Sequence, residues 1–148
     1  MFLSERFLMP ESRSTVMPAL RYRNAPGAID WLCQVFGFER HAVYANPDGT
    51  VAHAELTLNG GMIMLGSAKE DEHAQRYRSP DDLNGVETRG VYIVVADADQ
   101  VHARAVAAGA TILRPLQNTD YGSREFAVKD PEGHSWSAGT YDPWAAHG

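Results

Sequence analysis

His53 and Glu55 stand two residues apart in Val51 to Leu58, where Ala52, Ala54, Leu56 and Leu58 alternate with His53, Glu55 and Thr57. In an extended strand this spacing sets an imidazole and a carboxylate on one face. The pair can act as general acid and base or hold the hydroxyls and amines of a ligand. The same composition also serves as a cross-strand polar pair with no chemistry. A zinc deaminase, which also uses H-x-E, is excluded: its metal needs a PCxxC motif, and Cys33 is the sole cysteine.

Arg21 shares strand parity with Met17 and Ala19, so it can bind a ligand carboxylate or carbonyl, or pair with Glu55. Met62, Met64, Tyr92 and Trp136 supply soft or aromatic surface. The parity of Trp136, opposite to Ser135 and Ser137, assigns it to the core under a helix. Tyr121 and Arg124 flank Gly122-Ser123 near the mouth of the second half. Cys33 lies on an apolar helical stripe with no base at short spacing, so it is not a nucleophile. His41, His73, His102, His134 and His147 show neither HxH nor HxxxH spacing. GxGxxG and GxxxxGK[ST] are missing, which removes the usual support for nucleotide binding.

The elements that must position these residues come in one order, twice. Thr15 to Tyr22 reads as extended, and Asn24-Ala25-Pro26 starts a helix whose stripe is Ile29, Leu32, Cys33 and Phe36, closed by Gly37. Glu39 to Ala45, Val51 to Leu58 and Gly61 to Ser67 follow as strands joined by Asn46-Pro47-Asp48-Gly49 and Asn59-Gly60-Gly61. From Gly90 the pattern restarts. Val91 to Val95 is a strand, Asp97 or Asp99 caps a helix reaching Ala108, and Thr111 to Leu116, Arg124 to Lys129 and His134 to Tyr141 are strands.

This is an α+β chain of two tandem βαβββ modules, about residues 15–68 and 88–141, within one domain spanning 15–141. Residues 1–14 form an N-terminal extension and 142–148 a C-terminal tail. The polar connector 69–87 is a linker or a lid. One helix covers one face of a four-stranded sheet, so the other face is left to curl, giving curved mixed sheets around a cup-shaped cleft.

The chain has 148 residues, 44% hydrophobic and 22% charged, a composition of globular rather than disordered proteins. Its net charge of −6, with Lys69 and Lys129 the only lysines, offers no basic patch for nucleic acid. Met1 to Ser14 holds Glu5, Arg6, Glu11 and Arg13 and no signal-peptide core, and no run approaches the roughly 18 apolar residues of a membrane span. With one cysteine, the expected compartment is the cytoplasm.

The tandem order, Val16-Met17-Pro18-Ala19-Leu20-Arg21-Tyr22 leading into Ala28-Ile29-Asp30-Trp31-Leu32 and Phe36-Gly37-Phe38, and the turn Asp130-Pro131-Glu132-Gly133-His134 together resemble the vicinal oxygen chelate superfamily. That group holds glyoxalase I, extradiol dioxygenases, and fosfomycin and bleomycin resistance proteins. The likeness covers residues 15–141, is sharpest at Arg124 to Pro131, and is greatest to glyoxalase-like members called PhnB-like. Metal-dependent members hold a divalent ion with His, Gln or Glu from the first and last strands of each module. The resemblance places those four positions at Met17, Met64, Gly90 and Ser137, none of which suits a hard or borderline divalent ion.

The resemblance therefore implies a cup without metal or other cofactor that binds a small organic ligand, for sequestration, resistance or sensing, in a homodimer; glyoxalase I and dioxygenase chemistry would lack the electrophile their metal supplies. Arg21, Met62, Met64, Tyr92, Tyr121, Arg124 and Ser137 are the ligand-contact candidates. The alternative is a metal-independent lyase or isomerase using His53 and Glu55; a divalent-metal lactoylglutathione lyase or dioxygenase is a third reading.

Overall fold

The computed structural model describes residues 13–71 and 76–146. His73 and His147, most of the N-terminal extension and the end of the tail lie outside the described residues. Contacts divide the chain into two units, one running to Cys33 and resuming at Gly37 to Tyr77, the other taking Gln34–Phe36 and Arg78 onward.

In the first unit, β1 (Ala19–Tyr22) leads through Asn24 into α1 (Ala25–Phe36), followed by β2 (Glu39–Ala45), β3 (Val51–Leu58) and β4 (Gly61–Ser67). Asn24, not Pro26, marks the helix boundary: its side chain accepts from the Gly27 N–H, and the proline falls in the first turn, where its missing donor is not needed. At the other end Gly37 adopts φ 85° and donates to the Cys33 carbonyl, so the C-terminal glycine is required by the backbone. The strand order is β1-β4-β3-β2, with β1 parallel to β4 and the other pairs antiparallel. Ala54 and Leu56 of β3 and Ile63 and Leu65 of β4 are buried with Tyr22, Ala28, Ile29 and Leu32. The alternation in β3 and β4 thus separates a buried face from one carrying His53, Glu55, Met62 and Met64. Ile29, Leu32 and Phe36 of the expected α1 stripe are buried, but the buried face is broader than that stripe. Trp31 and Val35 are buried while Cys33 is only half-buried, because eight of twelve helix positions are apolar, enough to admit more than one stripe.

The second unit repeats the order with β5 (Val91–Val94), α2 (Ala98–Ala107), β6 (Thr111–Asn118), β7 (Arg124–Lys129) and β8 (Ser135–Gly139), arranged β5-β8-β7-β6. A helical turn at Pro143–Ala146 follows. Asp97 caps α2 by accepting from the Gln100 N–H. α2 packs on β6 and β7, where His102 meets the Phe126 ring edge-on at 5.1 Å. Phe126, Val128, Trp136 and Ala138 are fully buried on that side. Trp136 therefore belongs to the core, and its indole donates to Asp130 at 3.0 Å. The α+β class with two mixed four-stranded sheets is as expected from the sequence.

Several local expectations differ; β8, for one, covers Ser135–Gly139 rather than His134 to Tyr141. β1 begins at Ala19 rather than Thr15, since only from there does the chain register against β4. β6 runs on to Asn118 through register shifts, which absorb Pro115 in an edge strand. The connector holds a 3-10 turn, Pro80–Leu83, and Glu87, whose carboxylate accepts from the Ser135 N–H at 2.8 Å and meets His134 Nδ1 at 3.2 Å. Its last residues are tied to β8. Among the described residues, no helix is long and apolar enough to cross a membrane.

Candidate functional site

On the open face of the first sheet, the two-residue spacing does bring His53 and Glu55 together. His53 Nε2 lies 2.9 Å from Glu55 Oε2, and His41 Nε2 reaches within 3.9 Å of Glu55 Oε1. The Tyr44 ring stacks on His53 at 6.1 Å. Across the sheet, Glu55 registers with Met64 and Met64 with Ala19, so the methionine is a direct neighbour of the carboxylate's strand position. Arg21 registers with Gly66 and its Nη1 donates to the Ser67 carbonyl at 3.4 Å. A methyl group at position 66 would come within 2.6 Å of that nitrogen, so glycine leaves the room in which Arg21 lies.

The second unit holds a pocket of about 570 Å³ on the sheet face opposite α2. Strand alternation places it: β7 turns Phe126 and Val128 toward the helix and Glu125 and Ala127 the other way. Register then aligns Tyr92, Ser137, Ala127 and Arg114 across the four strands. Tyr92, Arg114, Glu125 and Ser137 line the pocket with Tyr121, Tyr141, Gly90, Val91 and Pro143. Tyr121 is delivered by a tight loop in which Thr119 and Ser123 exchange hydrogen bonds and Gly122 takes φ 87°. Its ring meets Tyr141 edge-on at 5.8 Å.

Glu125 is the polar centre of this pocket and is only 4% exposed. Its Oε1 accepts from the Tyr121 hydroxyl at 2.9 Å and from Arg114 Nη1 at 3.4 Å. The Tyr92 hydroxyl donates to the Tyr141 carbonyl at 2.7 Å. Gly139 makes this arrangement fit, because a Cβ there would stand 2.6 Å from Glu125 Cγ and 2.7 Å from the Tyr92 oxygen.

Both phenols are pushed above the usual tyrosine range. For Tyr121 the main cause is its hydrogen bond to Glu125, and for Tyr92 it is burial, followed by the Glu125 charge. Glu125→Gln is therefore expected to lower the titration of Tyr121 markedly and of Tyr92 less, followed by the ¹³Cζ shifts of the two rings. A raised folded value keeps the proton on longer than in the unfolded chain. The associated stability is whole below about pH 10 and is lost as the pH climbs through the folded value. Unchanged titration of Tyr121 in the variant would refute the assignment.

The sequence candidates thus fall into two groups. Tyr92, Tyr121 and Ser137 meet at the pocket of the second unit, whereas Arg21, His53, Glu55, Met62 and Met64 lie on the open face of the first sheet. Arg124 is separated from Tyr121: its guanidinium turns toward α2, on Asp99 at 2.9 Å and Asn118 at 3.2 Å. Sequence reasoning missed Glu125, Arg114 and Tyr141. The signal for Glu125 was present, since the apolar parity of Phe126 and Val128 sends it to the open face. Arg114 and Tyr141 arrive through register shifts and a loop, which leave no local pattern.

A divalent metal at the positions implied by the resemblance finds no fitting donors. On the first and last strands of each unit the open-face residues are Ala19 and Arg21, Met62, Met64 and Gly66, Tyr92 and Val94, and Ser135, Ser137 and Gly139. Met17 and Gly90 precede two of these strands. None is an imidazole or a carboxylate, so a one-residue shift within a face does not rescue the site. Among the described residues, no three His, Cys, Asp or Glu side chains gather to hold a metal ion.

Comparison with known proteins gives this architecture relatives. The uncharacterized Mycobacterium bovis protein Mb0911c is 33% identical over 122 residues, 82% of this chain and 80% of the relative. The crystal structure of TioX from Micromonospora sp. superposes with TM-score 0.65 at 33% identity, over 85% of this chain and 97% of TioX. A fosfomycin resistance protein, FosX from Listeria monocytogenes, solved with Mn(II) and 1S,2S-dihydroxypropylphosphonic acid, superposes with TM-score 0.66 over 91% of this chain and 98% of its own; at 10% identity it shares the fold alone. The family model of the Glyoxalase/Bleomycin resistance protein/Dioxygenase superfamily matches residues 15–138, and with two relatives at this identity the chain belongs to that superfamily.

Proposed function

We propose that this chain is a metal-independent, PhnB-like member of the superfamily that binds a small organic molecule in the pocket of its second unit, for sequestration, resistance or sensing. The observation that carries this reading is Glu125, a carboxylate almost wholly buried yet lining a 570 Å³ pocket beside three tyrosines. A buried charge is retained against its desolvation only where partners hold it, and in a cavity of ligand size it orients what enters. Donor chemistry on the first and last strands supports the metal-independent part. A homodimer in the cytoplasm completes the proposal; a monomeric mass by light scattering would overturn the dimer.

A second reading, a lyase or isomerase without metal, is favoured by one observation, the 2.9 Å contact between His53 and Glu55. One experiment separates the two. A thermal-shift screen of metabolites and natural-product antibiotics identifies compounds that stabilise the native state, by about 2.7 kcal/mol at a hundredfold excess over Kd. Each compound is then incubated with the protein and recovered. The binding reading expects it back unchanged, with binding indifferent to His53→Ala. Turnover that falls about 100-fold in His53→Ala and Glu55→Ala establishes the second reading instead.

A further inference from the structure

The two oxygens of Glu125 are unequally used. Oε1 takes both protein donors, Tyr121 and Arg114, while Oε2 accepts no hydrogen bond from a described residue. No fully buried side-chain oxygen or nitrogen among the described residues lacks a partner, so Oε2 keeps some exposed surface on a side chain that lines the pocket. Arg114 is similarly underused. Its side chain is 39% exposed, and its contact with the described protein is the single 3.4 Å approach of Nη1 to Glu125, which leaves Nε and Nη2 as donors. The pocket therefore presents a free acceptor on an anion beside free donors on a cation, against the rings of Tyr92, Tyr121 and Tyr141.

These groups discriminate between ligand classes. A simple cation satisfies Glu125 but meets Arg114 close by; a simple anion satisfies Arg114 but meets Glu125. A neutral group with an N–H next to a C=O answers both at once, the N–H donating to Oε2 and the carbonyl accepting from the guanidinium. The tyrosines favour a flat ring as the frame for that group. Resting on the binding function proposed above, we propose that this pocket selects flat cyclic amides, with Glu125 reading the lactam N–H and Arg114 its carbonyl.

The test is a titration of the intact chain, by calorimetry and by the ring signals of Tyr92 and Tyr121, with isoquinolin-1(2H)-one, its N-methyl derivative and naphthalene. A hydrogen bond to a charged group contributes roughly 10- to 100-fold in affinity. The lactam is expected to bind at least about 10-fold tighter than the N-methyl compound, and both tighter than naphthalene. Glu125→Gln, which keeps the shape of the side chain, is expected to bring the lactam down to the N-methyl level while leaving the N-methyl compound unchanged. Arg114→Met is expected to weaken both amides and spare naphthalene. Equal binding of lactam and N-methyl compound in the parent protein, or a preference that survives Glu125→Gln, overturns the inference and leaves the binding function standing. If none of the three compounds moves the Tyr92 and Tyr121 signals, the pocket is not a site for flat amides and the inference falls, while the binding function is judged by the wider thermal-shift screen.

Discussion

Asp130→Ala is expected to lower the unfolding free energy by about 3–5 kcal/mol, read as a lower urea midpoint with an unchanged slope. Asp130 is 5% exposed in the turn before β8, and its carboxylate gathers three donors. Oδ1 accepts from the backbone N–H groups of Glu132 and His134 at 3.0 and 3.1 Å, and Oδ2 accepts from the Trp136 indole at 3.0 Å. Alanine takes the shared carboxylate acceptor from all three, and the indole belongs to a side chain with no exposed surface at all. Each stranded donor is worth about 1–3 kcal/mol, least for the two backbone groups near the surface. Asparagine keeps one oxygen, so Asp130→Asn is expected to fall between the parent and the alanine variant. Combining Asp130→Ala with Trp136→Phe should cost less than the two single changes added together, because the second substitution removes a donor that the first has already orphaned. Full additivity would mean that the indole and the carboxylate do not interact. A domain of ordinary stability, about 5–15 kcal/mol, loses a large share of it here.

Leu56→Ala is expected to cost about 3–4 kcal/mol, whereas Thr57→Ala, its neighbour, stays within about 1 kcal/mol. Leu56 has no exposed surface and registers with Ile63, itself buried, in the middle of the first sheet. Truncation removes three carbons from water-free packing and leaves a void that strands on both sides are too rigid to fill. Thr57 sits on the other face of the same strand, half-buried, and registers with Met62. Comparable costs at both positions would show that the first sheet has no open face. Such a result would also remove the basis for treating His53 and Glu55 as accessible groups.

The first sheet and β7 were legible because their residues alternate or run apolar between strong turns. Glu39 to Ala45, Val51 to Leu58, Gly61 to Ser67 and Arg124 to Lys129 are strands with the bounds their patterns predict. The parity that exposes His53 and Glu55 also puts Trp136 in the core, so side-chain direction was readable wherever a strand was regular. The pocket was less so. In Arg124-Glu125-Phe126-Ala127-Val128 the parity of Phe126 and Val128 carries the signal, but Ala127 is apolar on the open face as well and the long cation at 124 is the more conspicuous binder. It serves instead to tie β7 to α2 through Asp99. Glu87 and Asp81 in the connector act on residues far along the chain, Ser135 for one and the Gly133 turn for the other, and distant partners leave no periodic mark.

Each sheet joins its first strand to its last: β1 lies parallel to β4 and β5 to β8. During synthesis, then, β1 emerges long before the strand that will receive it. At about 5–20 residues per second this interval is a matter of seconds, during which its backbone donors and acceptors are open to any passing strand. Four residues is the whole length of β1 and of β5, and Arg21 puts a charge in the middle of the first. The waiting strands are thus the shortest in the chain, and a nascent neighbour on the same message finds little edge to seize.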